Sequence, residues 1–266
     1  MNRLAGPLTA TRRLLRGRTH AAPEAVVLGY HDVSAPGEER TPLCVSDAAL
    51  RAHIRCLRAF GFDIVPATEI AERLRRGEPV DGLAALTFDD ALVGVRRRAM
   101  PVLEDEQAPA TVFVVTDALG GPASWWDGAD DTLDEDELLD MQGPFMALGS
   151  HTRSHRSLPA LDCVALRDEL EGSRKTITRW THDEQPLLAY PSGHHDPHVR
   201  QMAASAGFGA AFTFLNGRVN GRVDPFRIPR LTMGTHMSVA RLSYHLRRSA
   251  STWGDHQVDR VQDEPS

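Results

Sequence analysis

The sequence predicts an α/β fold, a single (β/α) barrel built on a mostly parallel sheet. Two observations predict it. Short apolar runs of strand length alternate with helix-period segments through nearly the whole chain, which requires crossover helices, and so many units point to barrel closure. Polar clusters also begin where three of those runs end, on what would be the active-site face of such a barrel.

The elements follow in chain order. Residues 25–29 (AVVLG) form a strand that leads into Tyr30-His31-Asp32-Val33. Leu50, Ile54, Leu57 and Phe60 share one helix face, and Gly61 ends that helix. Residues 62–65 read as a strand, and Thr68 can cap a helix ending near Gly77. Next come a strand at 84–88, a helix at 92–104 and a strand at 111–115. A helix at 134–141 leads to an apolar run at 145–148, and a long helix at 161–180 to a strand at 187–190. A helix at 197–206 stops at Gly207, strands follow at 210–214 and 226–231, and a helix at 239–248 closes the series. No internal repeat or linker divides the core, so residues 25–250 are expected to be one domain. Residues 1–24 are a basic, mobile segment in this reading, and 251–266 a polar, acidic tail.

Composition narrows the function classes. The 266 residues carry 30 basic and 36 acidic side chains, a formal charge of −6, which tells against generic binding to a phosphate backbone. Of the basic residues only Lys175 is lysine, so Schiff-base or P-loop chemistry would rest on that one side chain. No apolar run reaches the roughly 18–20 residues needed to cross a bilayer, and the arginine-bearing start lacks the apolar stretch of a secretory signal. Peripheral contact of that basic start with an anionic membrane is the remaining membrane option. Cys44, Cys56 and Cys163 form no metal or redox pattern. With the missing signal they place the expected compartment in the reducing cytoplasm.

Three strand ends carry the chemistry: Leu86-Thr87-Phe88 into Asp89-Asp90, Met146-Ala147-Leu148 into Gly149-Ser150-His151 with His155 four residues on, and Leu187-Leu188-Ala189 into Tyr190-Pro191-Ser192-Gly193. Each is weak alone, since His194 and His198 share the same spacing as His151 and His155. Their conjunction is stronger. Two imidazoles and one carboxylate make a three-ligand facial site for a divalent ion with open positions. Adjacent side chains at a strand end diverge, so one aspartate can bind the ion while the other reaches its water as a general base.

These segments, with Ala108-Pro109-Ala110-Thr111-Val112-Phe113-Val114-Val115, Ser150-His151-Thr152-Arg153-Ser154-His155 and Phe226-Arg227-Ile228-Pro229-Arg230, resemble the polysaccharide deacetylase family (NodB homology, carbohydrate esterase family 4). Their order is similar to that of the poly-N-acetylglucosamine deacetylase branch. The resemblance runs from Val27 to about Leu246. It implies a deformed (β/α) barrel of the NodB type and metal-dependent removal of acetyl groups from N-acetylated sugars, with zinc the expected ion and other divalent metals the alternatives. It makes Asp89 the general base and Asp90, His151 and His155 the metal ligands. It places Ser192, through its backbone N–H, with Tyr190 and Pro191 at the substrate and oxyanion position. The early Tyr-His-x-Val implies His31 as general acid, with His236 as the competing candidate because the Leu-x-His usual near the C-terminus is missing.

The sequence departs from the family at several points. Ala91 stands where a glycine usually follows the aspartate pair. Ala189 replaces the arginine that steadies the base, a charge that Arg230 or Arg227 could supply in space. Ser192 replaces an aromatic residue. His194, His195 and His198 read as helix-end and surface residues, and the acidic run at 130–136 as a solvated helix entry. Trp125-Trp126 reads either as a sugar-binding face or as a folded-back loop anchor. A facial iron(II) oxygenase leaves Asp89 without a role, and a non-catalytic carbohydrate binder would not need the base. Hydrolysis of another non-peptide C–N bond stays open. The expected partner is a carbohydrate, either a glycan or its precursor, and no nucleic acid.

Overall fold

The computed structural model describes residues 22–247; the first 21 residues and the tail expected at 251–266 lie outside them. Strand β1 (Val26–Tyr30) is followed by β2 (Asp32–Ser34), β3 (Cys44–Ser46), helix α1 (Asp47–Ala59), β4 (Asp63–Ile64) and α2 (Ala67–Arg76). Then come β5 (Leu83–Phe88), α3 (Met100–Asp105), β6 (Ala110–Val114), α4 (Glu135–Met141) and β7 (Met146–Ser150). The chain continues through α5 (Cys163–Thr181), β8 (Leu187–Ala189), α6 (Pro197–Ala206), β9 (Ala210–Phe212), β10 (Leu231–Thr232) and α7 (Val239–Arg247). Eight strands make one curled sheet in the order β10-β1-β5-β6-β7-β8-β9, with β4 also pairing β5 and every pairing parallel. The two edges are tied by a single stretch of chain. Ile228 bridges Phe212 on β9, and three residues later Leu231 pairs Leu28 on β1. The barrel is closed by one short, irregular segment, which is its deformation.

Period-2 alternation sorts the strand residues into two layers. Val26, Leu28, Leu86, Phe88, Val112 and Val114 pack outward with α1 residues Leu50, Ile54 and Leu57. Val27, Ala85, Phe113, Ala189 and Phe212 pack inward, with Ile70 and Leu74 of α2 in the same cluster. Asp89 continues the parity of Ala85 and Thr87, so the strand delivers it to the barrel interior. Gly149 is needed on β7 because a Cβ there would lie 2.6 Å from the Phe113 ring.

The alternation read from the sequence holds, and the differences are local. Helix α2 is entered at Pro66 with no side-chain cap, so Thr68 lies inside the first turn. The helix expected at 92–104 opens as a π-helical turn, Val95–Ala99, before α3. Pro101 explains it: a proline cannot donate to the carbonyl four residues back, and its ring crowds that carbonyl. The chain widens, and Met100 N–H donates to Val95, five residues back. The strand expected at 226–231 is reduced to Leu231–Thr232 plus the Ile228 bridge, because Pro225 and Pro229 interrupt the ladder. The small parallel pair β2–β3 was not expected.

Candidate active site

Three strand ends and one returning arginine build the site. After β5 the chain turns sharply: Asp90 and Ala91 both adopt left-handed backbone, at φ 68° and 53°. That turn sends the two aspartates different ways. Asp89 points into the barrel, where Arg230 Nη1 donates to its Oδ1 at 2.6 Å and Nη2 to its Oδ2 at 2.7 Å. The guanidinium also donates to Thr213 O and Thr87 Oγ1, and lies 4.4 Å from the Phe214 ring centre. Both charges are fully buried. Burial works to raise the Asp89 carboxyl, but the Arg230 charge, then His151, override it and hold the carboxyl down at about 2.

Asp90 faces the histidines instead. Its Oδ1 is 3.7 Å from His151 Nε2 and 3.4 Å from His155 Nε2, and the ligand atoms of the three residues lie within 4.8 Å of one another. His151 Nδ1 is 2.8 Å from Ala189 O on β8. A proton on Nδ1 donated to that carbonyl leaves Nε2 as the lone-pair donor, the usual arrangement of a metal-binding histidine. Burial, and next the Asp89 charge, push the Asp90 carboxyl well up. Burial also lowers both imidazoles, His155 to about 3 with His151 adding to it, which favours the neutral form that can donate a lone pair. Two neutral ring nitrogens and one carboxylate oxygen at these separations fit zinc or a similar transition ion.

The loop joining the two histidines is fixed from α5. Glu169 Oε2 accepts from the N–H groups of Arg153 at 2.9 Å and Ser154 at 3.0 Å, while Ser154 Oγ donates to Oε1. Those bonds stabilise a chain with left-handed Thr152 (φ 67°) and His155 (φ 59°). Sequence reasoning missed Glu169, although one signal was present. It sits on the buried face of α5 with Leu166, Leu170, Ser173 and Ile177, where an acidic residue must have partners.

The remaining expected residues are placed as follows. His31 is buried, its ring stacked on Phe214 at 5.3 Å and meeting the edge of Trp126 at 5.4 Å; Nδ1 has no hydrogen-bond partner. Burial holds its ring down at about 4; Asp89 pulls it up, Arg230 and His151 push it down. His236 is exposed on the turn between β10 and α7, next to Thr235, whose N–H donates to Pro42 O at 2.9 Å. Ser192 is exposed in a tight left-handed turn (φ 53°) after Pro191, itself buried. The turn continues into Gly193 at φ 69°, where a Cβ would lie 2.6 Å from Phe214 N. Tyr190 is buried, its hydroxyl 3.1 Å from Phe226 O and its ring stacked on His195 at 5.2 Å. Arg227 is half-buried and Asp89 is not among its contacts; Cys163 lies 3.7 Å from His198 Nε2 on the surface.

Ala91 provides a quantitative check on the strained turn. Left-handed backbone costs an L-residue about 1–2 kcal/mol. Glycine would relieve that, but loses about 0.8 kcal/mol of methyl burial and about 0.5–1 kcal/mol of backbone entropy. The opposing effects nearly cancel, so Ala91→Gly is expected to unfold in urea within ~1 kcal/mol of the parent. A gain above ~2 kcal/mol would mean that the turn stores more strain than this.

Similarity to known proteins agrees with this geometry. The family model for polysaccharide deacetylase matches residues 76–211. The chain is 22% identical over 222 residues to the polysaccharide deacetylase candidate YxkH of Bacillus subtilis, covering 83% of this chain and 75% of that protein. It is 31% identical over 99 residues to the poly-β-1,6-N-acetyl-D-glucosamine N-deacetylase of Escherichia coli, over 37% of this chain and 15% of that much longer protein. The structure of the Streptococcus pyogenes deacetylase PplD in complex with acetate superposes with a TM-score of 0.73 at 20% identity, covering 85% of this chain and all of that one. Among the described residues no helix is long and apolar enough to cross a membrane.

Proposed function

The chain belongs to the polysaccharide deacetylase family, and from that membership we propose that it hydrolyses the N-acetyl group of an N-acetylated sugar, releasing acetate and leaving a free amine. One observation carries the reading. A carboxylate clamped by a buried arginine, Asp89, lies 3.8 Å from a histidine of an Asp-His-His group that suits a divalent ion. A binding protein has no use for that second carboxylate. The Escherichia coli relative is named for a polymer of N-acetyl-D-glucosamine, which makes that sugar the first substrate to try.

Asp90, His151 and His155 would hold the ion, with zinc the best match to their donor set. Once bound, such an ion polarises the acetyl carbonyl and makes water more acidic. Asp89 then accepts the proton of the attacking water; Oδ2 is the oxygen on the histidine side, and the Arg230 clamp fixes its direction. The N–H of Ser192 donates to the oxygen that gains negative charge. The leaving amine needs a proton, and His31 supplies it. His31 enters neutral at pH 7, so the proton it gives to the amine is accounted for by the one Asp89 takes from water, and the step balances. His31→Ala is expected to lower kcat by ~10²-fold or more with little change in KM. An unchanged kcat would remove His31 from the reaction.

The test is acetate release across β-linked N-acetylglucosamine oligomers, lipid-linked N-acetyl sugars and N-acetyl sugar nucleotides, with and without chelator. Release from at least one sugar, blocked by chelator and restored by zinc, is the expected result. Zinc-loaded protein that releases acetate from none of them would overturn the proposal.

A further inference from the structure

The tandem tryptophans at 125 and 126 lie in the stretch between β6 and α4. That stretch is tied at its base to the chain that leaves the aspartate pair. Leu133 N–H donates to Ala91 O at 2.8 Å, Val93 N–H to Asp131 O at 2.9 Å, and Leu92 bridges Thr132. The loop and the Asp90 turn are therefore one unit. From it the Trp125 indole reaches across: Nε1 donates to Asp90 Oδ1 at 3.1 Å. This is the same oxygen that faces His151 and His155. The Trp125 ring also stacks on His155, with 4.7 Å between ring centres and 13° between planes. Among the described residues, the Asp90 carboxylate accepts one side-chain hydrogen bond, and Trp125 donates it.

We propose that Trp125 is a positioning residue for the ion site: its N–H selects the Asp90 oxygen that ligates, and its ring braces His155. Without that donor a buried carboxylate is free to rotate, and either oxygen can face the imidazoles. With it, Oδ1 is held in place before the ion arrives. The stack limits the swing of the one ligand histidine that is partly exposed. Outer-shell partners of this kind are worth about 10–100-fold in metal affinity. The inference rests on the ion site proposed above, but on no particular substrate.

Zn²⁺ and Co²⁺ dissociation constants, measured on the full chain by competition with a chromophoric chelator, test it. Trp125→Phe keeps an aromatic ring and removes the N–H. Its binding is expected to weaken by about tenfold or more, with the metal-free melting temperature close to the parent's. Trp180→Phe is the control, because Trp180 donates to Glu135, away from the site, and its affinity should match the parent's. An independent readout needs no variant to fold well. Zinc should shift one indole N–H resonance of the parent, that of Trp125, and leave that of Trp180 in place. W125F binding within twofold of the parent, or an unmoved Trp125 resonance with zinc bound, would overturn this inference alone. A parent that binds no zinc would overturn the ion site as well.

Discussion

Asp89→Asn is expected to reduce kcat by about 10³-fold while zinc stays bound. The amide nearly matches the carboxylate in shape but cannot accept a proton from water. It also turns an NH₂ toward one of the two Arg230 nitrogens that now donate to Asp89 at 2.6 and 2.7 Å. The ion would be retained because the Asp-His-His group does not include Asp89. Steady-state deacetylation with metal content measured on the same sample checks both halves. A variant that loses its zinc and regains turnover when zinc is added would exchange the roles assigned to the two aspartates.

Arg230→Met is expected to carry the largest stability loss, roughly 3–5 kcal/mol in urea or thermal unfolding. The argument turns on desolvation. Arg230 and Asp89 are both fully buried, so each was taken out of water at a cost that is offset mainly by the other. Removing the arginine leaves a buried carboxylate without its counter-charge, and the contact with the Phe214 ring at 4.4 Å is lost too. The double variant Asp89→Leu/Arg230→Met should recover part of that loss, because it leaves no unpaired charge behind. A loss under ~1 kcal/mol in the single variant would mean that water reaches the pair. In the proposed mechanism the clamp has a further use: two parallel hydrogen bonds hold the carboxylate in one orientation.

Much of this was legible because buried strands and helix periodicity leave marks in a sequence. Short apolar runs located β1, β5, β6 and β7, the first three buried on both faces, and a polar residue following such a run marks the end of a strand. That is how Asp89, Asp90 and His151 could be grouped before any coordinates. What stayed hidden depends on contacts between distant positions or on backbone detail. The sequence offers both Arg230 and Arg227 as the charge that steadies Asp89; that Arg230 does so rests on a contact across 141 residues, which no local pattern reports. Glu169 and Trp125 reach the site from elements whose own periodicity says nothing about their targets. The π-turn arises from a single proline competing with an otherwise regular helical pattern. Barrel closure through Ile228 and Leu231 leaves only a broken apolar run, because two prolines prevent a full strand there.

The central claim is that Asp90, His151 and His155 hold an ion that deacetylation requires. It is tested most directly by stripping the full chain of metal and titrating zinc back while acetate release from an N-acetylglucosamine oligomer is followed. The account predicts no release from the stripped protein, a linear rise to a plateau at one zinc per chain, and no such rise in Asp90→Ala. Full release from the stripped protein, or a plateau unchanged by Asp90→Ala, would contradict it.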